Sequence, residues 1–268
     1  MSELRYEYCP PYSGSRVDHV GTYKRTLPVN LDRMYENALD WEHLPHLHAS
    51  SFKSIECIDA GAWGWRCSVI DLKDRESILE LALDRDCRRW ITRNLEGPSK
   101  GAEIWTHVFV TGEKRMDLVI DFFVPGVPEE SRAKVGMVYA SAYETLYDED
   151  VWMMSERQNQ LERRVDTIRP DELELEINQP LPIKASLSGR DYYVHQHDGQ
   201  WMVYPQVCPH QLGPLSTEVS VNGTVTCPWH GYAFDLATGA CTTGHSCRFG
   251  KRPEAIEADG RLKLVWVD

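Results

Sequence analysis

The sequence predicts an α+β protein of two domains, and three observations support this. Strand-like segments of alternating apolar and polar residues are mixed with helical patterns in the first 170 residues. About the last hundred residues contain short strand-like segments separated by turn pairs such as Asp198-Gly199 and Asp259-Gly260. A polar, proline-containing stretch after Arg169 separates the two regions. We therefore expect domains at residues 1–170 and 171–268.

Composition limits the possible classes of function. The 268 residues are enough for two hydrophobic cores, and 42% of them are hydrophobic. The net charge of −12 argues against nucleic acid or anionic membrane as a partner, because both are polyanions. No apolar run approaches the length of a membrane span, and the N-terminal residues lack the apolar core of a signal peptide. We expect a cytoplasmic protein without a membrane partner, with free thiols outside any metal site.

The first domain is expected to begin with an irregular arm over residues 1–27, after which Asn30 caps a helix. The expected helices lie at residues 31–44, 75–94 and 147–164. The expected strands lie at residues 52–57, 63–70, 104–110, 116–122 and 134–143. Trp105, His107 and Phe109 share one strand face, which is more often part of a core than a pocket wall.

The first helix carries polar residues at a regular spacing. Asn37, Asp40 and His43 are three residues apart, so they lie along one side of a helix. Pro45 interrupts the helical hydrogen bonds, which allows His48 to return to the side of His43. Taken alone, this stretch is equally typical of a surface helix with histidines at its frayed end.

The second domain contains two cysteine–histidine motifs. The first Cys-His loop, residues 208–213, opens with Cys208-Pro209-His210, and the second, residues 227–232, opens with Cys227-Pro228-Trp229-His230. Two thiolates and two imidazoles at this separation form the mixed ligand set of a Rieske 2Fe-2S centre, with the thiolates on one iron and the imidazoles on the other. A zinc site with the same four ligands, or simple buried cysteines, are the alternatives.

The residues around both motifs resemble the Rieske family over about the last hundred residues of the chain. The similar stretches are residues 211–215, Gln-Leu-Gly-Pro-Leu, and residues 231–235, Gly-Tyr-Ala-Phe-Asp. Respiratory members carry one further cysteine in each loop and a serine after the second histidine, where this chain has Gly213, Trp229 and Tyr232. The resemblance therefore implies a low-potential centre, as in a ferredoxin or an oxygenase.

With a Rieske motif in the same chain, residues 36–48 resemble the mononuclear iron motif of Rieske non-haem iron oxygenases. The pattern is Asp-x-x-His-x-x-x-x-His preceded by Glu-Asn, and its continuation is most similar to the vanillate demethylase branch. The resemblance implies that His43 and His48 bind iron. It also implies that Asn37 and Asp40 are catalytic residues, with Asp40 joining an iron-ligating histidine to a Rieske histidine. His46 matches no ligand position.

The third iron ligand in that family is a carboxylate at the start of a late helix. Asp150 matches the pattern Glu-Asp-x-x-Met-Met, with Gln158 eight residues further on. Asp148 matches the variant Asp-x-x-Val-Trp and is the alternative. Acidic residues at a helix start also stabilise the helix dipole, which requires no metal. We take Asp150 as the expected ligand.

The resemblance implies a helix-grip catalytic domain, in which an antiparallel sheet wraps a helix, followed by a small all-β Rieske domain. This domain order is the reverse of the usual order in the family, and the catalytic half is shorter. The expected reaction is monooxygenation or demethylation of an apolar or aromatic molecule rather than dioxygenation. The expected enzyme is a homotrimer with a 2Fe-2S cluster and a mononuclear Fe(II). Since the chain has no Gly-x-Gly-x-x-Gly nucleotide loop, a separate reductase or ferredoxin is expected as electron donor. The alternative is a Rieske electron carrier fused to a ligand-binding helix-grip domain without a second iron.

Overall fold

The computed structural model describes residues 18–163 and 172–267. The chain divides into two compact units, Met1–Trp152 and Met153–Asp268. The predicted domain boundary near Arg169 lies outside the described residues. Within the described ranges, no helix combines the length and the apolar character that crossing a membrane requires.

The first unit is built on one antiparallel sheet of seven strands. The strands are β1 His19–Leu27, β2 Phe52–Gly61, β3 Gly64–Asp71, β4 Glu76–Asp84, β5 Arg89–Glu96, β6 Glu103–Gly112 and β7 Arg115–Phe123. Their order in the sheet is β1-β7-β6-β5-β4-β3-β2, so the first strand pairs with the last. The remaining neighbours are consecutive in sequence, which is the arrangement of a meander.

Residues 18–163 also contain three helices: α1 Leu31–Leu39, α2 Leu44–Leu47 and α3 Glu129–Glu162. The side chain of Asn30 caps α1, because it accepts the backbone N–H of Arg33 at 3.0 Å as predicted. The two short helices connect β1 to β2, and the long helix follows β7. An antiparallel sheet with one long final helix is the helix-grip arrangement, so the predicted α+β fold class is confirmed.

Alternation along β7 defines the sheet face that packs on α3. Met116, Leu118, Ile120 and Phe122 are all buried, and their spacing of two places them on one face. The ring of Phe122 contacts the rings of two tyrosines of α3, with centroids 5.3 Å apart in both cases. The hydrophobic core of this unit therefore lies between the sheet and α3.

Glycines allow α3 to approach the sheet edge closely. A Cβ atom added to Gly136 of α3 would lie 2.3 Å from the carbonyl oxygen of Val20. A Cβ added to Gly21 of β1 would lie 3.0 Å from the Cα of Gly136. The helix and β1 are thus in backbone contact at this point, which only residues without a side chain permit.

Several elements differ from the sequence predictions. Residues 19–27, predicted as irregular, form β1, while the rest of that arm up to residue 17 lies outside the described residues. Residues 75–94, predicted as a helix, form β4 and most of β5, because pairing with the neighbouring strands overrides local helix propensity. Residues 134–143, predicted as a strand, belong to α3.

The second unit is a set of small antiparallel sheets. Its strands are β8 Glu172–Glu176, β9 Ile183–Leu187, β10 Arg190–His197, β11 Gln200–Pro205, β12 Thr224–Thr226, β13 Ala233–Asp235, β14 Glu254–Ala258 and β15 Arg261–Val265. They form sheets in the orders β11-β10-β9, β12-β13 and β14-β15-β8. The predicted turn pairs Asp198-Gly199 and Asp259-Gly260 connect adjacent strands with positive φ at both residues, as two-residue hairpin turns require.

Candidate metal centres

Two histidines of the first unit face each other across a break between helices. After α1 ends at Leu39, His43 and His48 flank the four-residue α2, which has Pro45 in its first turn. They are five residues apart, which would turn their side chains about 140° from each other on a regular helix, but His48 ends α2 with non-helical angles, φ −100° and ψ 40°, and the two rings lie on the same side. Their Nε2 atoms lie 3.2 Å apart, and both side chains are buried. The helix therefore stops before the predicted Leu44, and His48 nevertheless lies beside His43.

A carboxylate from the interior of α3 approaches both histidines. Oδ1 of Asp150 lies 3.1 Å from Nε2 of His48 and 3.5 Å from Nε2 of His43. In the described part of the chain, these three buried side chains make up a group that could hold a metal ion. Because Asp150 lies well inside α3, stabilisation of the helix dipole does not explain its position.

The three atoms have the spacing of metal ligands. Adjacent ligands of a six-coordinate metal with bonds of about 2.1 Å lie about 3 Å apart. The three separations here are 3.1, 3.2 and 3.5 Å. Three electron-rich atoms that converge in a buried space are stabilised by a cation. The donor set and its spacing thus fit a mononuclear divalent iron.

Two polar side chains hold these donors in place. Nδ2 of Asn37 donates to Oδ1 of Asp150 at 2.7 Å inside the site. Oε2 of Glu149 lies 2.6 Å from Nδ1 of His48, so Nδ1 carries a proton and Nε2 is the nitrogen that would coordinate a metal. The sequence interpretation included Asn37 but missed Glu149. Its position next to Asp150 is the signal that could have identified it.

Asp40 is close to the other histidine. Its Oδ2 lies 3.7 Å from Nδ1 of His43, and its side chain is 10% exposed. This places Asp40 on the side of the His43 ring opposite to Nε2, which faces Asp150. The helical spacing predicted this proximity.

Electrostatic interactions keep Asp150 in the form that binds metals. Burial would raise the pKa of Asp150, but the hydrogen bond and the charge of His48 outweigh burial and lower it. Burial would also lower the pKa of His48, whereas Asp150 and Glu149 together raise it. The carboxylate is therefore an anion at neutral pH.

The donors line a cavity of about 650 Å³, its open mouth included. Much of the wall is apolar and aromatic, with Trp65, Leu79, Leu81, Trp90, Tyr143 and Tyr147 among its residues. The hydroxyls of the two tyrosines hydrogen-bond to threonines of the sheet, and the indole N–H of Trp65 donates to a backbone carbonyl. Since these polar groups are engaged by the protein, the wall offers mainly apolar surface to a guest. The enclosed space within the cavity is about 120 Å³, which is below the usual range of about 300–1,000 Å³ for small-molecule sites.

The other residues singled out in this unit lie elsewhere. Asp148 pairs with Arg25 at 2.6 Å, and its side chain is 64% exposed. His46 is exposed. The structure therefore brings Asp150, and not Asp148, to the two histidines.

The stripe on β6 faces away from the cavity. Thr106 hydrogen-bonds to Tyr147 of α3, so the alternate residues Trp105, His107 and Phe109 lie on the opposite face of the sheet. Trp105 is buried there. The stripe is not part of the cavity wall.

In the second unit, the two Cys-His loops have the same backbone pattern. Each cysteine N–H donates to the carbonyl of the residue five positions on, Gly213 or Tyr232, at 2.7 and 2.8 Å respectively. Each cysteine carbonyl accepts from the residue four positions on, Leu212 or Gly231, at 3.0 and 2.9 Å. Both of the latter residues have positive φ, 63° and 67°. Two equivalent tight loops thus present the cysteines and histidines.

The four predicted cluster ligands lie together. Cys208 and Cys227 are buried, and a hydrogen bond between their side chains raises the pKa of Cys208 and lowers that of Cys227. The rings of His210 and His230 are 4.6 Å apart at an interplanar angle of 76°. Paired thiols next to paired imidazoles fit the donor set of a Rieske 2Fe-2S cluster.

Packing, and not an additional disulfide, connects the two loops. A Cβ atom added to Gly213 would lie 2.6 Å from the ring of Trp229, which is fully buried. The ring of Tyr232 stacks on His210 with centroids 4.3 Å apart and on His245 with centroids 3.9 Å apart. The sequence interpretation did not include His245, because it lies outside both loops.

Comparison with known proteins identifies the second unit. Residues 167–249 match the family described as the Rieske 2Fe-2S domain. Over 111 residues, the chain is 34% identical to pheophorbide a oxygenase, chloroplastic, of Arabidopsis thaliana. The matched stretch covers 35% of this chain and 20% of that protein. Over 77 residues, it is 34% identical to dicamba O-demethylase, oxygenase component, of Stenotrophomonas maltophilia. That stretch covers 27% of this chain and 22% of that protein.

These matches span about a fifth of the length of the curated relatives. The chain contains a C-terminal Rieske domain and is related to Rieske oxygenases, as the motifs predicted. A Rieske domain supports the predicted 2Fe-2S cluster.

Solved structures resemble the first half of the chain at low identity. An aromatase/cyclase of a Streptomyces species is 14% identical with a TM-score of 0.44, covering 53% of this chain and 96% of that one. A START superfamily protein of Mycobacterium smegmatis is 14% identical with a TM-score of 0.41. The match covers 54% of this chain and 99% of that one. The helix-grip assignment given above rests on the strand order and on α3.

Proposed function

We propose that this chain is the terminal oxygenase component of a Rieske-type system. When bound, the cluster supplies single electrons, and a mononuclear Fe(II) activates O₂ for hydroxylation or oxidative demethylation. The observation that supports this most strongly is the buried triangle of His43, His48 and Asp150 in a chain with a Rieske domain. A simple electron carrier does not require this second group of buried metal ligands.

Each group of ligands is assigned to one metal centre. The 2Fe-2S cluster would be held by Cys208, Cys227, His210 and His230. The mononuclear iron would be held by His43, His48 and Asp150. Both assignments follow from donor types and from the convergence of the side chains described above.

The proposal gives Asn37 and Asp40 catalytic roles that do not require them to bind the metal. Asn37 fixes the rotamer of Asp150 by donating to its Oδ1. Asp40 holds a negative charge beside Nδ1 of His43, which favours a proton on that nitrogen and a lone pair on Nε2. Asp40 is also the residue that we propose as the link between His43 and a Rieske histidine.

The cavity supports an apolar or aromatic small molecule as substrate. A wall of tryptophans, leucines and tyrosines excludes water from the space beside the donor triangle and packs against rings. One relative is described as an O-demethylase and another as an oxygenase. We accordingly favour monooxygenation, including demethylation, over dioxygenation.

We further propose a cytoplasmic homotrimer that receives electrons from a separate reductase or ferredoxin. The relative described as an oxygenase component supports a multi-protein system. Light scattering of the cluster-loaded protein tests the trimer directly: a mass other than three chains contradicts it.

Iron stoichiometry tests the function. Anaerobically reconstituted protein should contain three irons per chain and give a Rieske EPR signal on reduction. His43→Ala should remove one iron and keep that signal, whereas Cys208→Ser should remove the signal and keep the mononuclear iron. Wild-type protein that saturates at two irons supports the alternative, an electron carrier fused to a ligand-binding domain.

A further inference from the structure

Glu149 and Asp150 contact the same histidine from two directions. Consecutive residues of a helix point about 100° apart, so adjacent side chains of α3 can approach one ring at different atoms. Glu149 reaches Nδ1 of His48 at 2.6 Å, and Asp150 reaches Nε2 at 3.1 Å. The imidazole of His48 is thus held at both nitrogens by one helix.

From this geometry we infer that Glu149 is a positioning residue for the mononuclear iron site. Its carboxylate accepts a hydrogen bond from Nδ1–H and thereby fixes the plane of the His48 ring and keeps the proton on Nδ1. Nε2 is then directed at the triangle formed with His43 and Asp150 before a metal arrives. This inference rests on the proposed mononuclear iron site.

The Nδ1 atoms of the two histidines lie at different distances from the carboxylates beside them. Nδ1 of His43 is 3.7 Å from the nearest oxygen of Asp40, which is longer than a hydrogen bond, whereas the contact of Glu149 with His48 is short. His48 is also the histidine nearer to Asp150. Of these two carboxylate contacts to Nδ1, the one between Glu149 and His48 is the shorter, and it is within hydrogen-bond distance.

Burial makes this contact more than a surface ion pair. The side chain of Glu149 is 32% exposed, but the His48 side chain that it contacts is only 2% exposed. A hydrogen bond between an ionised acceptor and a buried donor is stronger than one in water, and it excludes other ring orientations. Losing such a partner of a metal-ligating histidine typically weakens metal affinity about 10- to 100-fold.

The test measures Fe(II) affinity by competition with a chelator in cluster-loaded protein under anaerobic conditions. Glu149→Ala should weaken binding about 10- to 100-fold. It should also change the EPR spectrum of nitric oxide bound at the iron, which reports ligand geometry without turnover. Glu149→Gln should restore most of the affinity, because its amide oxygen still accepts from Nδ1. Glu144→Ala, which removes an exposed carboxylate from the same helix, is the matched control and should bind iron as the wild type does.

Three results would overturn the inference. Wild-type affinity in Glu149→Ala means that Glu149 does not position His48. An equal loss in the Ala and Gln variants assigns the effect to charge and not to the hydrogen bond. If the wild-type protein binds no mononuclear iron, the proposed function itself is wrong. This outcome is distinct from the other two. Circular dichroism and thermal unfolding, measured for every sample, show whether each variant is folded, because the absorbance of the 2Fe-2S cluster reports only on the second unit.

Discussion

The two proposed metal centres differ in how far apart along the chain their ligands lie. The Rieske ligands come from two loops of six residues, and each loop is closed by its own backbone hydrogen bonds. The ligands of the mononuclear site come from the α1–α2 break and from α3, more than a hundred residues later. The first centre therefore depends on local loop geometry, and the second depends on how α3 packs on the sheet.

This difference suggests that each centre can be weakened separately. We expect a change in the seating of α3 on β1 to alter the distance from Asp150 to the histidines and to leave the Cys-His loops unchanged. A change of loop conformation does the reverse. Variants at Asp40, in α3 and in the Cys-His loops test this separation.

Asp40→Asn should have the largest effect, because it removes the charge beside His43 while preserving the shape of the side chain. We expect oxygen-dependent reoxidation of the chemically reduced cluster, measured by absorbance with an aromatic substrate present, to slow about 10- to 100-fold. Iron content should stay near three per chain. Asp32→Asn, an exposed position of α1, is the control. Reoxidation at the wild-type rate in Asp40→Asn would exclude Asp40 as the link between the two centres.

The same contrast explains what the sequence could predict. The ligands of each Cys-His loop are close in sequence, so their spacing, together with the resemblance of the flanking residues to the Rieske family, indicated the cluster. The proximity of His43 and His48 could also be predicted, because it depends on helix periodicity and on Pro45, which are local features of the sequence. The motif favoured Asp150 over Asp148, but which of the two lies beside the histidines depends on the position of α3, since nearby helical residues differ in direction.

The errors have a common physical origin. Residues 75–94 contain many good helix formers, yet strand pairing with β3 and β6 decides their structure. Residues 134–143 have strand-like composition, yet they belong to a helix that packs on β1 and β7. Glu149 resembled an ordinary acidic residue near a helix start until the structure placed it against His48. Long-range packing determined all three, and local sequence does not encode it.

Gly136→Ala tests the dependence of the mononuclear site on the seating of α3. The new Cβ would lie 2.3 Å from the carbonyl oxygen of Val20, so helix and strand must separate. Overpacking usually costs about 1–3 kcal/mol, and the higher helix propensity of alanine offsets up to about 1 kcal/mol. We expect a net loss of about 1–2 kcal/mol in unfolding free energy, weaker mononuclear iron binding and an unchanged Rieske EPR signal.

Gly112→Ala is the control for this change, because its new Cβ would come no closer than 3.4 Å to another side chain. Iron affinity equal to the wild type in Gly136→Ala would show that the site tolerates movement of α3. Loss of the cluster in the same variant would contradict the separation of the two centres.

The smallest effects are expected from exchanging the residues with positive φ in the two Cys-His loops. Leu212 and Gly231 occupy equivalent positions with φ of 63° and 67°, but only glycine adopts this conformation without strain. A left-handed conformation costs a residue with a side chain roughly 1–2 kcal/mol. Gly231→Ala should therefore destabilise the second loop by about 1 kcal/mol. Leu212→Gly should be neutral or stabilise the first loop by up to about 1 kcal/mol, since the flexibility of glycine in the unfolded chain offsets part of the gain.

The measurement is the temperature at which the cluster absorbance is lost, compared with Gly250→Ala, a position with open space around it. Changes of opposite sign at Leu212 and Gly231, with mononuclear iron affinity unaltered, would show that the Rieske centre responds to loop strain alone. If both variants lost the cluster at the same temperature as the wild type, backbone strain would not limit its stability. The two loops would then be equivalent in their hydrogen bonds, and their difference in backbone strain would have no effect on the stability of the cluster.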